Sequence, residues 1–219
     1  SLNSDENILK VKQIIESQKG KNVIIISAFG KTTDQLLTIG KKAAKSDVDY
    51  TVDLHNLRSF FREIINKLFK GKDKNIIEDK VNNLFNLLES ILQGIYAVRK
   101  LSLQSLDTVL SYGEMISANI ISSLIHGSQF FDSTEIIRTD STFGKAKVNF
   151  DKTDSLIREK LSNIKNNAIL PGFIASNSIG EITTLGRGGS DYTAAIVSAA
   201  LDVERLEMWT DVDGFMTAD

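Results

Sequence analysis

The segment Gly186-Arg-Gly-Gly-Ser-Asp191 places an arginine and an aspartate among three glycines, directly before a predicted helix. A helix N-terminus offers unpaired N–H groups and a partial positive charge, and glycines let a phosphate approach the backbone closely. Arg187 adds a planar donor fork that suits a carboxylate or a phosphate. Asp191 could neutralise Arg187, cap the helix or orient a catalytic group. A plain turn, with Ser190 or Asp191 as N-cap and Arg187 solvated, explains the pattern equally well.

Two further loops carry glycine, hydroxyls or carboxylates after a predicted strand, at Ser27 to Asp34 and at Thr210 to Asp219. Because sites in parallel α/β sheets form beyond the carboxyl ends of the strands, the agreement of the three loops is more informative than any one of them. Asp211 and Asp213 indicate either a turn or a contact to a ribose or to Mg²⁺–phosphate. The setting directly after a predicted buried strand argues against an EF-hand calcium site.

Ser111-Tyr-Gly-Glu114 lies inside a predicted helix, where a glycine costs about 1 kcal/mol relative to alanine. Gly113 indicates either a close helix crossing or a place where a ligand approaches while Glu114 binds its amine. The two histidines, His55 and His126, lack a nearby metal-binding or catalytic pattern, and we interpret both as structural or surface residues.

Familiar nucleotide signatures are missing. The chain contains neither GxxxxGK[ST], which excludes a P-loop enzyme, nor GxGxxG, which weighs against a dinucleotide fold. Gly30-Lys-Thr is a fragment of the first pattern without its upstream glycine.

Composition excludes several classes of protein. Twenty-six basic and 28 acidic residues give a net charge of −2, so no sequence-wide charge favours nucleic acid or anionic lipid. The absence of cysteine excludes disulfides and thiolate nucleophiles. The longest clean apolar run, Val23 to Ile26, is far short of the roughly 20 residues that a membrane span needs. We therefore expect a cytosolic α/β protein with no membrane and no nucleic-acid partner.

Hydrophobic periodicity predicts the elements that would position these loops. Helices are expected from Ser4 to Gly20, after Asp34, through most of 50–126 with a break at Gly71 to Lys74, over 153–165 and from Gly188 to Leu201. Strands are expected at 22–28, 135–138 and 146–150, at 179–185 as a hairpin arm, and at 205–210. A further strand is expected from Ala168, either ending near Pro171 or with an edge or bulge there. Helices alternating with buried strands predict a mainly parallel sheet covered on both faces.

Four segments in order resemble the signature segments of the aspartokinases, within the amino acid kinase family. They are VIIISAFGKTTDQL, SYGEMISA, GFIASNSIGEITTLGRGGSDYTAA and EMWTDVDGFMTAD. The resemblance implies a three-layer αβα sandwich with a mainly parallel central sheet and a helical insertion around 41–126. It also implies phosphorylation of the side-chain carboxylate of L-aspartate by ATP with Mg²⁺, in the pathway to lysine, threonine and methionine, by a homodimer or higher oligomer.

The resemblance also assigns roles to individual residues. Those that would hold aspartate are Ser27, Thr33, Glu114 and Arg187, with Glu114 on the ammonium and Arg187 on a carboxylate. Gly188, Gly189 and Ser190 would lie near the reacting carboxylate and the γ-phosphate, and Asp191 would organise the catalytic lysine. Thr210, Asp211 and Met216 would contact the nucleotide, although the family commonly has a tyrosine at the position of Met216.

The ends of the chain depart from the family pattern. The strand and Lys-Phe-Gly-Gly loop that carry the catalytic lysine are not among residues 1–219, nor are the rest of the ATP site and the regulatory ACT domains. We therefore expect a truncated catalytic domain that is a poor catalyst alone. Whether the parent is fused to a homoserine dehydrogenase stays open. The alternatives are a glutamate, acetylglutamate or uridylate kinase, or a non-catalytic amino-acid-binding regulatory subunit.

Overall fold

The computed structural model describes residues 2, 4–18 and 20–209. The helices are α1 (Asp5–Ser17), α2 (Thr32–Ala44), α3 (Tyr50–Leu68), α4 (Gly71–Val98), α5 (Leu103–Leu124), α6 (Phe150–Leu161) and α7 (Gly189–Leu201). The strands are β1 (Val23–Ile26), β2 (Gln129–Phe130), β3 (Ala168–Pro171), β4 (Ile174–Ser176) and β5 (Ile182–Thr184). No helix in this part of the chain is both long and apolar enough to cross a bilayer.

A parallel sheet of order β1-β3-β2 forms the middle layer, with Val23 opposite Ala168 and Ile26 opposite Pro171. Successive side chains of a strand point to opposite faces. Ile169 accordingly joins a core with α1–α5, whereas Ala168 and Leu170 join a second core with α6 and α7. The fold is thus the predicted α/β sandwich with helices on both faces of a parallel sheet.

Helices α2 to α5 occupy most of the chain between β1 and β2, as the apolar stripes of 50–126 predicted. Three stacked or tilted phenylalanines, Phe29, Phe61 and Phe85, join the end of β1 to α3 and α4. The predicted break at Gly71 to Lys74 is misplaced. Phe69 and Lys70 are extended, and Gly71 begins α4 with a φ of +60°.

The strand predicted from Ala168 ends at Pro171, although β3 is the central strand. A proline cannot donate to a ladder, and the pairing of β1 with β3 stops at this residue. The chain then turns through Gly172 into an antiparallel pair of β4 and β5. This pair confirms the predicted hairpin arm.

Three predicted strands are wrong. Residues 133–135 form a 3-10 turn because Asp132 caps the Thr134 N–H at 2.8 Å, and Arg138 makes only a single bridge to Ser176. Residues 146–150 contribute one bridge, at Val148, before α6 begins at Phe150 under an Asn149 cap, earlier than the predicted helix at 153–165. Residues 205–209 are exposed and outside any strand, and the predicted last residue of that strand, Thr210, lies outside the described residues.

Candidate active site

A cleft of about 310 Å³ opens at the carboxyl ends of the central strands. Ser27 follows β1 directly, and Phe173 lies two residues after β3. The lining residues are Ser27, Thr33, Glu114, Phe173, Gly186, Arg187, Gly188, Gly189, Ser190 and Asp191. Two of the three loops singled out in the sequence therefore meet in one cleft, and Glu114 on α5 joins them.

The segment Gly186–Asp191 enters α7 through two left-handed glycines, Gly186 with a φ of +78° and Gly188 with a φ of +72°. Gly188 takes the N-cap position and no side chain caps the helix. The alternative in which Ser190 or Asp191 is the N-cap is wrong, because both residues already lie within the first helical turn. The Gly189 N–H donates to the Gly186 carbonyl at 3.0 Å, whereas no side chain caps the N–H groups of Ser190 and Asp191, which suits an anion-binding site.

The turn after β3 packs against the first turn of α7 with no room for larger residues. A Cβ on Gly172 would lie 2.7 Å from the Cβ and Oγ of Ser190, and one on Gly189 would lie 2.7 Å from the Phe173 ring. The Phe173 N–H donates to Thr193 Oγ1 at 3.0 Å, and that hydroxyl donates to the Gly189 carbonyl at 2.8 Å. These contacts fix the start of α7 to the end of the central strand.

Glu114 is the buried carboxyl group of the cleft, with only 4% of the residue exposed. Its Oε2 has no hydrogen-bond partner. Burial raises the pKa of the Glu114 carboxyl to about 8, although the backbone N–H groups of Glu114 and Ala28 act in the opposite direction. A buried acceptor without a partner costs free energy, so this carboxyl is suited to a cationic donor that enters the cleft.

Gly113 serves packing, and the interpretation that it lets a ligand approach is not supported. A Cβ on Gly113 would lie 3.1 Å from the Ala28 Cβ and 3.3 Å from Thr32 Cγ2. On the same helix, Ser117 Oγ accepts the Phe29 N–H at 3.0 Å. The loop after β1 is therefore pressed onto α5 next to Glu114, and this contact holds Ser27 and Thr33 at the cleft.

Arg187 and Asp191 are both exposed at the rim. Within the described part of the chain neither side chain makes a hydrogen bond or an ion pair, so Asp191 does not neutralise Arg187. His55 and His126 are exposed and line no part of the cleft, as interpreted from the sequence. The predicted nucleotide contacts Thr210, Asp211 and Met216 lie outside the described residues.

Two residues of this region escaped the sequence analysis. Phe173 lines the cleft with a φ of +68°, an unusual conformation for a bulky residue. The position of Phe173 directly after Pro171-Gly was the available signal of an unusual turn. The apolar residues around it are, however, typical of a buried core segment. Asp107 is buried on α5 and bonds to Gly144 and Thr184, far away in sequence. No local pattern reveals such a pairing.

Comparison with known proteins agrees with this fold. The family model described as "Amino acid kinase family" matches residues 1–219, and the chain belongs to that family. Aspartokinase 2, chloroplastic, of Arabidopsis thaliana is 33% identical over 100% of this chain and 42% of its own length. A bifunctional aspartokinase/homoserine dehydrogenase of Buchnera aphidicola is 29% identical over 100% of this chain and 28% of its own length.

Solved structures give the same result. Aspartokinase III of Escherichia coli in complex with aspartate and ADP superposes with a TM-score of 0.89 at 26% identity, covering 98% of this chain and 48% of that one. Aspartate kinase of Clostridium acetobutylicum gives a TM-score of 0.80 at 28% identity, covering 100% of this chain and 47% of that one. The chain thus spans less than half the length of these relatives.

Proposed function

We propose that this chain belongs to an enzyme that phosphorylates the side-chain carboxylate of L-aspartate with ATP, giving 4-phospho-L-aspartate and ADP. This reaction is the first step toward lysine, threonine and methionine. The observation that carries the proposal is the buried Glu114 carboxyl with its unpartnered Oε2, in the same cleft as Arg187. Relatives named aspartokinase, one of them solved with aspartate and ADP, support this choice of substrates.

Glu114 binds the α-ammonium of aspartate in this proposal. An ammonium group supplies N–H donors to the unpartnered Oε2. It also supplies a positive charge that favours the ionised form of the buried carboxyl. Binding favours the ionised form of Glu114, so the proton that the carboxyl holds in the empty site leaves as the ligand enters. The hydroxyls of Ser27 and Thr33 add uncharged hydrogen bonds beside it.

Arg187 binds the α-carboxylate. Its guanidinium is exposed at the rim and has no partner among the described residues, so it is free to form a two-bond contact with a carboxylate. Glu114 and Arg187 together select a ligand that carries an ammonium and a carboxylate on the same carbon atom. That requirement favours an amino acid over a nucleotide such as uridylate.

The side-chain carboxylate of the ligand then reacts near Gly188, Gly189 and Ser190. One carboxylate oxygen attacks the γ-phosphorus while the bond between that phosphorus and the ADP oxygen breaks. The attacking group is already ionised at neutral pH, so the step needs no general base. The uncapped N–H groups at the start of α7 stabilise the charge on the transferring phosphoryl group.

The remaining assignments concern the nucleotide. Asp191 organises a catalytic lysine, and Thr210, Asp211 and Met216 contact ATP. Mg²⁺ would be bound together with ATP and would neutralise charge on its phosphates. Residues 2, 4–18 and 20–209 contain no cluster of three or more acidic or histidine side chains that could hold an ion alone. A cytoplasmic location and a homodimer or higher oligomer remain predictions.

Titration calorimetry with L-aspartate tests the substrate assignment. We expect the wild-type chain to bind L-aspartate and to bind L-glutamate, N-acetyl-L-glutamate and UMP at least tenfold more weakly. Arg187→Ala should weaken aspartate binding at least tenfold without changing the melting temperature, because the side chain is exposed. Arg62→Ala is the matched control, since Arg62 is an exposed arginine of α3 that pairs with Glu78 at 3.0 Å.

Two results would contradict the proposal. Equal affinity for L-glutamate would remove aspartate as the substrate. Unchanged aspartate binding by Arg187→Ala would remove the carboxylate contact.

A further inference from the structure

Asp107 is a buried carboxylate with three hydrogen bonds and no cationic partner among the described residues. It lies on α5 with 1% of the residue exposed. Oδ2 accepts the Gly144 N–H at 2.8 Å and the Thr184 N–H at 2.9 Å, and Oδ1 accepts the Thr184 hydroxyl at 2.8 Å. Burying a carboxylate without a cation is costly, so these bonds must be maintained for the residue to be tolerated.

The bonds of Asp107 join α5 to two other segments. Thr184 is the last residue of β5, and its carbonyl accepts the Ala146 N–H at 2.9 Å. Two residues after Thr184, Gly186 packs against the turn around Gly144, since a Cβ placed on Gly186 would lie 3.3 Å from the Gly144 carbonyl oxygen. The turn around Gly144 and the start of the Gly186–Asp191 loop therefore form one packed unit attached to Asp107.

The same helix carries Glu114, seven residues after Asp107. Seven residues are close to two full turns, so the two carboxyl groups lie on one side of α5, separated by about 10 Å along its axis. One side of one helix thus holds the buried carboxyl of the cleft and the anchor of the loop that bears Arg187.

We propose that Asp107 is a positioning residue that fixes the Gly186–Asp191 loop relative to Glu114. It sets the separation at which Glu114 and Arg187 bind the two charged groups of one amino-acid ligand. This inference rests on the substrate assignment proposed above. It assigns to Asp107 a hydrogen-bonding role, and the negative charge of the side chain is not required.

Two substitutions separate hydrogen bonding from charge. Asp107→Ala removes all three acceptor contacts and should weaken L-aspartate binding at least tenfold. Asp107→Asn can keep all three bonds, because its carbonyl can accept both N–H groups while its amide donates to the Thr184 hydroxyl. We expect binding by Asp107→Asn to stay within about threefold of wild type, a rescue that a requirement for charge would not give.

Ser111→Ala is the matched control. Ser111 is a buried hydroxyl residue of α5 whose side chain donates to the Thr108 carbonyl of its own helix at 2.7 Å. Thr184→Val removes only the hydroxyl bond to Asp107 and should have a smaller effect in the same direction. It replaces Asp107→Ala if that variant does not fold.

Amide NMR of the ligand-free chain keeps this test separate from the proposed function. Asp107→Ala should speed hydrogen exchange at Gly144 and Thr184 and should broaden the signals of Gly186–Ser190, while α3 and α4 stay unchanged. If the wild-type chain binds no aspartate, the substrate assignment fails and these signals still decide whether Asp107 holds the loop. Unchanged loop signals, or equal losses of affinity in Asp107→Ala and Ser111→Ala, would overturn the inference.

Discussion

At the scale of single residues, the candidate site depends on a buried carboxyl with one oxygen that has no hydrogen-bond partner. Glu114 has 4% exposure, an Oε2 with no hydrogen bond and a pKa raised by burial. In a residue serving stability alone, such an arrangement would be a defect, because a buried polar atom left unpaired costs about 1–3 kcal/mol. Its position in a cleft beside an exposed arginine instead indicates a binding group.

The stability of the ligand-free chain should depend on pH through Glu114. Its carboxyl keeps a proton up to about pH 8 in the folded state, whereas the ordinary value is 4.5. Between these values the folded state binds more protons than the unfolded state, so the free energy of unfolding falls as pH rises. The contribution is fully present below about pH 4.5 and amounts to a few kcal/mol at most.

Urea unfolding of wild type and Glu114→Gln between pH 5 and pH 8 measures this effect. The variant should show a flatter dependence of stability on pH. Glu159→Gln, which removes an exposed carboxylate of α6, controls for the loss of one charge. Identical pH profiles for wild type and Glu114→Gln would show that Glu114 is ionised throughout the range.

The sequence could identify those residues of the candidate site that lie in local motifs. Glu114 and Arg187 stand in compact segments with glycine and hydroxyl neighbours, so the sequence marked both as candidate site residues. Phe173 and Asp107 could not be found in this way. The role of Asp107 arises from a contact with Thr184, 77 residues away, and nothing near either residue predicts that contact.

At the scale of elements, helices with a long apolar stripe were predicted better than strands. The stripes of α3, α4 and α5 repeat over many turns, and a serine cap at Ser102 marks the start of α5. The segments at 135–138 and 146–150 have strand-like composition but form only single bridges, because capping by Asp132 and Asn149 bends the chain into helical turns. Capping chemistry outweighed β-propensity there.

The junction between β3 and α7 should be intolerant of any added side chain. Gly172→Ala places a Cβ 2.7 Å from the Cβ and Oγ of Ser190 and 2.8 Å from the Cα of Ser190, so the turn after β3 or the start of α7 must shift. We expect a loss of stability of about 1–3 kcal/mol, together with weaker ligand binding.

Gly94→Ala is the control for this junction. Gly94 lies inside α4 where a Cβ would meet nothing within 4 Å, and the substitution should stabilise the chain by up to about 1 kcal/mol. Thermal unfolding of both variants measures the difference. Equal melting temperatures would mean that the turn after β3 is more adaptable than its contacts indicate.

At the scale of the whole molecule, one short strand joins two cores. Ile169 packs with α1–α5 and Leu170 packs with α6 and α7, and neither is exposed. The three-layer arrangement was predictable because β1 and β3 are apolar without alternation, the pattern of strands buried on both faces. The order β1-β3-β2 was not predictable, since it depends on pairing across the whole chain.

The two layers should unfold together. Ile169→Ala and Leu170→Ala affect opposite faces of the sheet, and each should cost about 2–5 kcal/mol in a single urea transition. Ile179→Ala, at a residue 76% exposed, should change stability by less than about 0.5 kcal/mol. Two separate transitions in either core variant would show that the helical layers are independent.

The burial of all four residues of β3 also bears on how this chain can evolve. A strand with one solvent-exposed face tolerates substitution by polar residues at every second position. Ala168–Pro171 has no such position. A change on one face of the strand disturbs the packing of α1–α5, and a change on the other face disturbs the packing of α6 and α7. The strand also ends where the cleft begins, so the same four residues fix the position of the cleft.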